Sequence, residues 1–480
     1  MSDEQKNIVT RSLNKKVEKA KRLLSDIIES VSGTEQDFTE GALSRAILLL
    51  AVPSVLEMIM ESVFVIADIY FVSRLGADAV ATVGITESLI TIVYAISIGL
   101  ATATTSLVSR RIGEKNSQLA SRTAIQAILT GIVVSLIIGI PGSLNSGDLL
   151  RLMGASHEII SRMSGYTTIM LAGNVVIMLL FIINAIFRSA GDAAVAMRVL
   201  WVANIINILL DPFLIFGIGP FPALGVKGAA IATTAGRGIA VLYQFYLLFF
   251  GKKRIKLSLR HLGIDFSIIK KLLRLSFGSI GQNLIGTSSW IALVRIISSF
   301  GSEVVAGYTI ALRIIHFIIL PSWGISNAAS TLVGQNLGAK KPGRAEQSVY
   351  RTGMVNIILL GTVSLVLILF PSPFILLFIN DPAVLIAGAE CLRIVSFGFI
   401  AYGFGMVLVN AFNGAGDTTT PLKINIFAFW ILEIPLAWIL ATQTGMNESG
   451  VFAAIVIAES VMTGIAWFVF RRGKWKLKEV

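Results

Sequence analysis

The chain has 480 residues, 55% of them hydrophobic and only 14% charged. A mean hydropathy of +0.79 excludes a soluble globular domain and points to a multi-pass membrane protein. The formal charge of +12 does not imply a nucleic-acid partner, because the basic residues sit in loops between apolar runs and not along one stripe. Thirty-two of the forty lie in alternate connections: the N-terminal stretch, 110–122, Arg188 with Arg198, 252–274, 340–351, Lys423, and the segment after Phe470. Positive-inside bias then places both termini in the cytoplasm and the protein in the plasma (inner) membrane.

Residues 1–42 form an arm without the apolar core of a signal peptide. Within residues 14–31, Val17, Leu24, Ile28 and Val31 share a helical face bordered by lysines, a pattern that suits either an interfacial helix or a disordered arm. Twelve apolar spans follow, starting near residues 46, 79, 123, 163, 199, 228, 272, 304, 347, 389, 424 and 450. They divide into a six-span lobe over 43–250, a charged cytoplasmic linker at 251–271, a second six-span lobe over 272–470 and a tail at 471–480. The fold class expected is all-α and integral to the membrane.

Span 1 carries Pro53 and three acids in VPSVLEMIMESVFVIADIYFVSRLG. At 100° per residue Glu57, Glu61 and Asp68 fall within about 40° of one another. Acids at membrane depth survive where they face a bundle interior or a cavity, so this stripe marks an ion or substrate path. Pro53 removes a backbone hydrogen bond and predicts a bend that can act as a hinge. Span 5, WVANIINILLDPFLIFG, sets Asn204, Asn207 and Asp211 within about 60°. A buried carboxylate favours its neutral form, which suits Asp68 and Asp211 to taking up and releasing a proton. Alternatively, Asp68, Asn207 and Asp211 offer oxygens to a sodium ion. Asp211-Pro212 also fits a helix-end turn. Arg237 in span 6 could lock Asp211 into a fixed ion pair. In the second half, Arg313, His316 and Glu433 favour an internal salt bridge over a further ion site.

Shifting the sequence by 225 residues superposes its halves. LVSRRIGEK at Leu107 meets LVGQNLGAK at Leu332, FRSAGD at Phe187 meets FNGAGD at Phe412, Gly76 meets Gly301, and Gly225 meets Gly450. Six spans per half give both halves the same orientation, the parallel-repeat plan of alternating-access carriers. The sequence has no GxxxxGK[ST] loop for ATP and no HExxH, and Cys391 is its single cysteine. No cofactor and no catalytic residue is therefore expected. The Gly-Asp loops suit sharp backbone reversal and not phosphate binding.

The duplicated half, the AGD loops and the IADIYFVSRLG end of span 1 together resemble the multidrug and toxic compound extrusion (MATE) family over about residues 43–470. The resemblance implies two facing six-helix lobes that export organic cations in exchange for protons or sodium. The DinF-like branch pattern falls here on Asp68, Tyr166, Asn184, Asn207 and Asp211, with Thr233 in span 6, and Glu61 stands where a neutral polar residue is usual. The NorM-like branch expects acids in spans 7 and 10, where GQNLIGTSSW and FGFIAYGFGMVLVNAF have none. The function expected is a monomeric antiporter of amphipathic organic compounds, the proton preferred as coupling ion. Glu57, Glu61, Arg237 and Glu433 are accessory candidates. A flippase for lipid-linked oligosaccharides is the alternative. A channel is disfavoured because no pore loop repeats.

Overall fold

The computed structural model describes residues 18, 21, 24–33, 36–251, 254–257 and 263–480, and among these every regular element is helical. Spans 1 to 6 are Leu43–Ser73, Ala77–Gly113, Ser117–Leu144, His157–Ala172 continued by Asn174–Ala190, Ala193–Phe216 and Val226–Phe250. Spans 7 to 12 are Phe266–Ile297, Ser302–Gly338, Pro342–Leu369, Pro382–Ser396 continued by Phe399–Gly414, Thr419–Thr442 and Asn447–Arg471. Each begins two to seven residues before its apolar run. For spans 3, 4, 5, 7 and 10 the cause is capping: the side chains of Asn116, Ser156, Asp192, Asp265 and Asp381 accept first-turn backbone N–H groups ahead of them. Among the described residues nine helices, and the span 10 pair bent by 56°, are long and apolar enough to cross a membrane. Spans 6 and 7 complete the twelve; Arg237 and Gln244, and Lys270, Lys271 and Arg274, dilute their apolar character.

The duplication is written into the backbone. Helices starting at Ala77, Ser117, Ser146, His157 and Asn174 have partners 225 residues on at Ser302, Pro342, Pro371, Pro382 and Phe399. Positive φ recurs at the same offset: Gly76 and Gly301 (100° and 109°), Lys115 and Lys340 (58° and 57°), Gly191 and Gly416 (97° and 84°). Chance likeness of apolar helices would not repeat left-handed residues at turns. The halves diverge in span 11, where Ile426–Glu433 is a π-helix, while span 5 stays α-helical past Pro212. Asp211-Pro212 is thus inside a helix and not the helix-end turn that its sequence also allowed.

Between the halves span 1 packs on span 8, span 7 on span 2, and span 2 on span 8, so the first two contacts are exchanged by the repeat. At one end the approach is backbone to backbone. A Cβ on Gly113 would stand 2.0 Å from the Gln335 carbonyl oxygen, and one on its repeat mate Gly338 would stand 2.2 Å from that of Arg110. At the other end Gly84 has open space around it, and Glu87 of span 2 and Arg313 of span 8 are exposed. The cleft therefore opens toward the Gly76 and Gly301 end and is sealed at the Gly113 and Gly338 end.

Span 1 runs as one helix, Leu43–Ser73, with Pro53 inside it, so a bend at that residue is made without breaking the helix. Span 8 supports this point: an added Cβ on Gly324 would lie 2.8 Å from the Ser54 and Val55 backbone. In the arm, residues 24–32 are helical, with Leu24 60% and Ile28 59% exposed; Val17 lies outside the described residues.

Candidate functional site

The acidic stripe of span 1 is divided among three environments, which lie at successive depths because the helix rises about 1.5 Å per residue. Glu57 is buried and accepts from Arg188 Nη1 at 2.9 and 3.0 Å and from Asn184 Nδ2 at 3.1 Å, while Gln244 donates to Asn184 Oδ1 at 2.6 Å. This network ties spans 1, 4 and 6. Its ionised partners are removed from water together, so each is held by the other, and loss of either strands a buried charge.

One helical turn further on, Glu61 accepts from Arg237 Nη2 at 3.1 Å and from Asn204 Nδ2 at 3.1 Å. Arg237 Nη1 donates to the Tyr94 hydroxyl at 3.0 Å, and its guanidinium lies 5.3 Å from the Phe64 ring centroid. Arg237 is thus held by Glu61 and Tyr94, and the feared lock on Asp211 does not form. Asn204 belongs to this second cluster and not with Asn207 and Asp211.

The third environment is different in kind. Asp211 is fully buried and neither carboxyl oxygen has a hydrogen-bond partner; Asp68 Oδ1 and Asn207 Oδ1 are buried and equally without one. Asn207 is oriented by donating through Nδ2 to Thr233 Oγ1 at 3.0 Å. Asp68 and Asp211 are electrostatic neighbours, and Tyr166 lies within reach of both in an apolar cluster with Val72, Val83 and Ile215. Of the residues singled out in the sequence, Asp68, Asn207, Asp211, Tyr166 and Thr233 are brought together here. Asn184 sits instead with Glu57 and Arg188. An unpaired buried carboxylate is costly, and uptake of a proton or a cation is one way for such a site to lower that cost. Four acceptor oxygens from Asp68, Asn207 and Asp211 suit a hard cation as well. Among the described residues no three His, Cys, Asp or Glu side chains gather as a metal site.

In the second half Glu433 accepts a short hydrogen bond from the Ser289 hydroxyl. Among the described residues neither Arg313 nor His316 forms the salt bridge expected with it; both are exposed on span 8, and the Arg313 charge acts on Glu87 of span 2 instead. Glu459 was overlooked: its Oε2 is buried and unpartnered, beside a cavity of ≈ 40 Å³ lined by Trp290, Tyr308 and Tyr402. A lone acid in the apolar run VFAAIVIAESVM is the signal that could have found it. Arg188 was likewise counted as a loop cation, although it stands one turn from Asn184 on the same helix face.

The protein-family model MatE matches residues 53–213 and again residues 279–439, two stretches set apart by almost the repeat offset. The probable multidrug resistance protein YoeA of Bacillus subtilis is 26% identical over 91% of this chain and 95% of its own. The probable multidrug resistance protein NorM of Thermotoga maritima is 25% identical over 91% and 94%. Among solved structures, a multidrug resistance MATE family transporter of the MOP superfamily in an outward-facing conformation superposes with a TM-score of 0.86, at 26% identity over 92% of this chain and 98% of that one. With the family model covering more than half of its length, the chain belongs to the MatE family of multi-pass membrane transporters.

Proposed function

We propose that the protein is a secondary antiporter that exports amphipathic organic compounds, cations in preference, in exchange for protons or sodium, working as a monomer with both termini in the cytoplasm of the plasma membrane. The observation that carries this reading is the set of buried, unpartnered oxygens on Asp68, Asn207 and Asp211. In the proposed topology the cleft opens outward, with residues 43–250 and 272–470 as the two lobes. An external proton or sodium ion reaches Asp68 and Asp211 in that state and neutralises them, while Asn207, aimed by Thr233, supplies a further oxygen. Span 1 then packs differently against span 5, and the lobes rock to the inward-open state. The proton is preferred as coupling ion, and the absence of acids in the stretches GQNLIGTSSW of span 7 and FGFIAYGFGMVLVNAF of span 10 supports the DinF-like branch.

Of the three cations that favour the flippase alternative, Arg237, Arg295 and Arg313, the first is engaged by Glu61 and Tyr94 and is not free to meet a pyrophosphate, while the acids of the first lobe favour a cationic substrate. The test is ethidium efflux in inverted vesicles with the proton and sodium gradients collapsed separately. Efflux should fall when the coupling gradient is removed and survive loss of the other. Efflux that outlasts the removal of both gradients rejects antiport, and a substrate flux carried equally in either direction as a continuous current rejects a carrier altogether.

A further inference from the structure

Both ends of the described chain cross the sealed seam, and they do so by the same plan. Residues 36–42 rest on the first half, where Phe38, 2% exposed, packs on the Gly191 turn, and on the linker that follows it, where Arg254 donates to the Gln36 carbonyl at 3.2 Å. The second half grips the other side of this segment. Arg344 donates to the carbonyls of Phe38 (3.2 Å), Glu40 (2.7 Å) and Gly41 (2.9 Å), and Lys341 to that of Thr39 (3.0 Å). Residues 474–480 reverse the halves. Trp475, 1% exposed, stacks on Phe470, Val480 packs on the Gly416 turn, and Lys478 pairs with Asp417 at 3.3 Å. Their carbonyls are taken by the first half, Lys478 by Arg110 and Val480 by Arg111 at 2.6 Å.

Gly191 and Gly416 are repeat mates, and the cations on both sides lie where span 2 meets span 3 or span 8 meets span 9. The two segments themselves, DFTEGA and WKLKEV, have no common sequence. Two unrelated segments have thus arrived at the same geometry about one axis. A strap confined to its own half would be indifferent to the transport cycle. These straps bury an aromatic side chain on one half and offer backbone carbonyls to guanidinium and ammonium groups of the other, so they contact the sealed state differently from a state parted at this end. The bonds across the seam are few and partly exposed, which keeps them breakable.

We infer that residues 36–42 and 474–480 form a matched pair of latches that hold the Gly113 and Gly338 end closed, and that both release the opposite half when the transporter opens there. The inference rests on the alternating-access reading above. Glu40 and Lys341 approach to 3.8 Å from opposite sides of one latch and are both well exposed. In a Cys391→Ser background, Glu40→Cys with Lys341→Cys, joined by a short bifunctional thiol reagent containing a disulfide, should lose about tenfold or more of its ethidium efflux and regain it on reduction. A second measurement needs no substrate: Ser106→Cys, buried in the seam beside Gly416, should be labelled severalfold faster in permeabilised membranes when Lys341→Ala and Arg344→Ala, or Arg110→Ala and Arg111→Ala, are added. Full efflux from the joined protein, or labelling as slow in the anchor variants as in the parent, overturns the latches. An unjoined protein that exports nothing counts against the transport reading alone, and the labelling rates still decide on the latches.

Discussion

Alanine at Gly113 tests whether the sealed end of the cleft is set by backbone contact between spans 2 and 8. Its Cβ would stand 2.0 Å from the carbonyl oxygen and 2.7 Å from the carbonyl carbon of Gln335, neither of which can swing aside as a side chain could. Ordinary contact begins at 3.4 Å, so the spans must part there by about 1.4 Å, and by about 1.2 Å for the repeat mate Gly338→Ala. Overpacking of this kind costs about 1–3 kcal/mol. Because the clash exists only while the seam is closed, the cost shifts the balance between the two cleft states roughly 5- to 150-fold toward opening at this end. The labelling rate of Ser106→Cys should therefore rise, and dye efflux should fall because the opposite state becomes scarce. Gly464→Ala, with nothing within 4 Å of its added methyl, serves as the control. Native labelling and native efflux in Gly113→Ala and Gly338→Ala, at normal membrane levels, would show that the seam is not held by these contacts.

Asp68→Asn and Asp211→Asn should each abolish efflux with membrane levels intact, while Glu433→Gln keeps most activity; full efflux by Asp211→Asn would reassign that residue to structure. Glu57→Gln strands the Arg188 charge inside the first half and should lower stability by about 3–5 kcal/mol, read as a drop in the thermal unfolding midpoint of the purified protein; an unchanged midpoint would mean that Arg188 finds water or another partner. Cysteines at Lys115 and Lys340 should react with an impermeant reagent only from the cytoplasmic side, and labelling of intact cells at either would break the proposed topology. Pro53→Ala should impair transport more than substrate binding, read as slowed efflux at native affinity.

The helices, their number and the duplication were legible because each is a property of the chain in one dimension: apolar length, and turns that recur at a fixed offset. The pairing of side chains was not. Helical period places Glu57, Glu61 and Asp68 on one face but does not say which neighbouring helix meets that face at each depth. Arg237 could have met Asp211 or Glu61 on sequence grounds, and Tyr94, which decides the matter by accepting from the same guanidinium, comes from a third helix. Arg188 misled for a related reason: proximity to a loop in sequence made it a topology signal, whereas its long side chain reaches back into the lobe to Glu57. Glu433 was expected to need a cation, but a hydroxyl on span 7 satisfies it.

Those pairings give Pro53 a more specific place than a bend in one helix. Before it, Ala46, Ile47 and Leu50 cluster with Ile325, Ala328 and Leu332 of span 8, so the first turns of span 1 are held largely by the second half. After it, Glu57 and Glu61 are fixed to spans 4, 5 and 6 through Arg188, Asn184, Arg237 and Asn204, so the remainder is riveted to the first half. Pro53 stands between the two holdings, where the missing N–H lowers the cost of bending. When the halves part at the sealed end, strain along span 1 should concentrate at this residue, whereas Asp68, fifteen positions on and without a fixed partner, can alter its packing with its charge. Pro53→Ala restores the hydrogen bond and stiffens the joint. Substrate should still bind to the purified protein with native affinity, while efflux should slow under both gradients. If Pro53→Ala exports at the native rate, span 1 moves with one half as a rigid rod, and its first turns must slide on Ile325 and Leu332 instead of bending away from them.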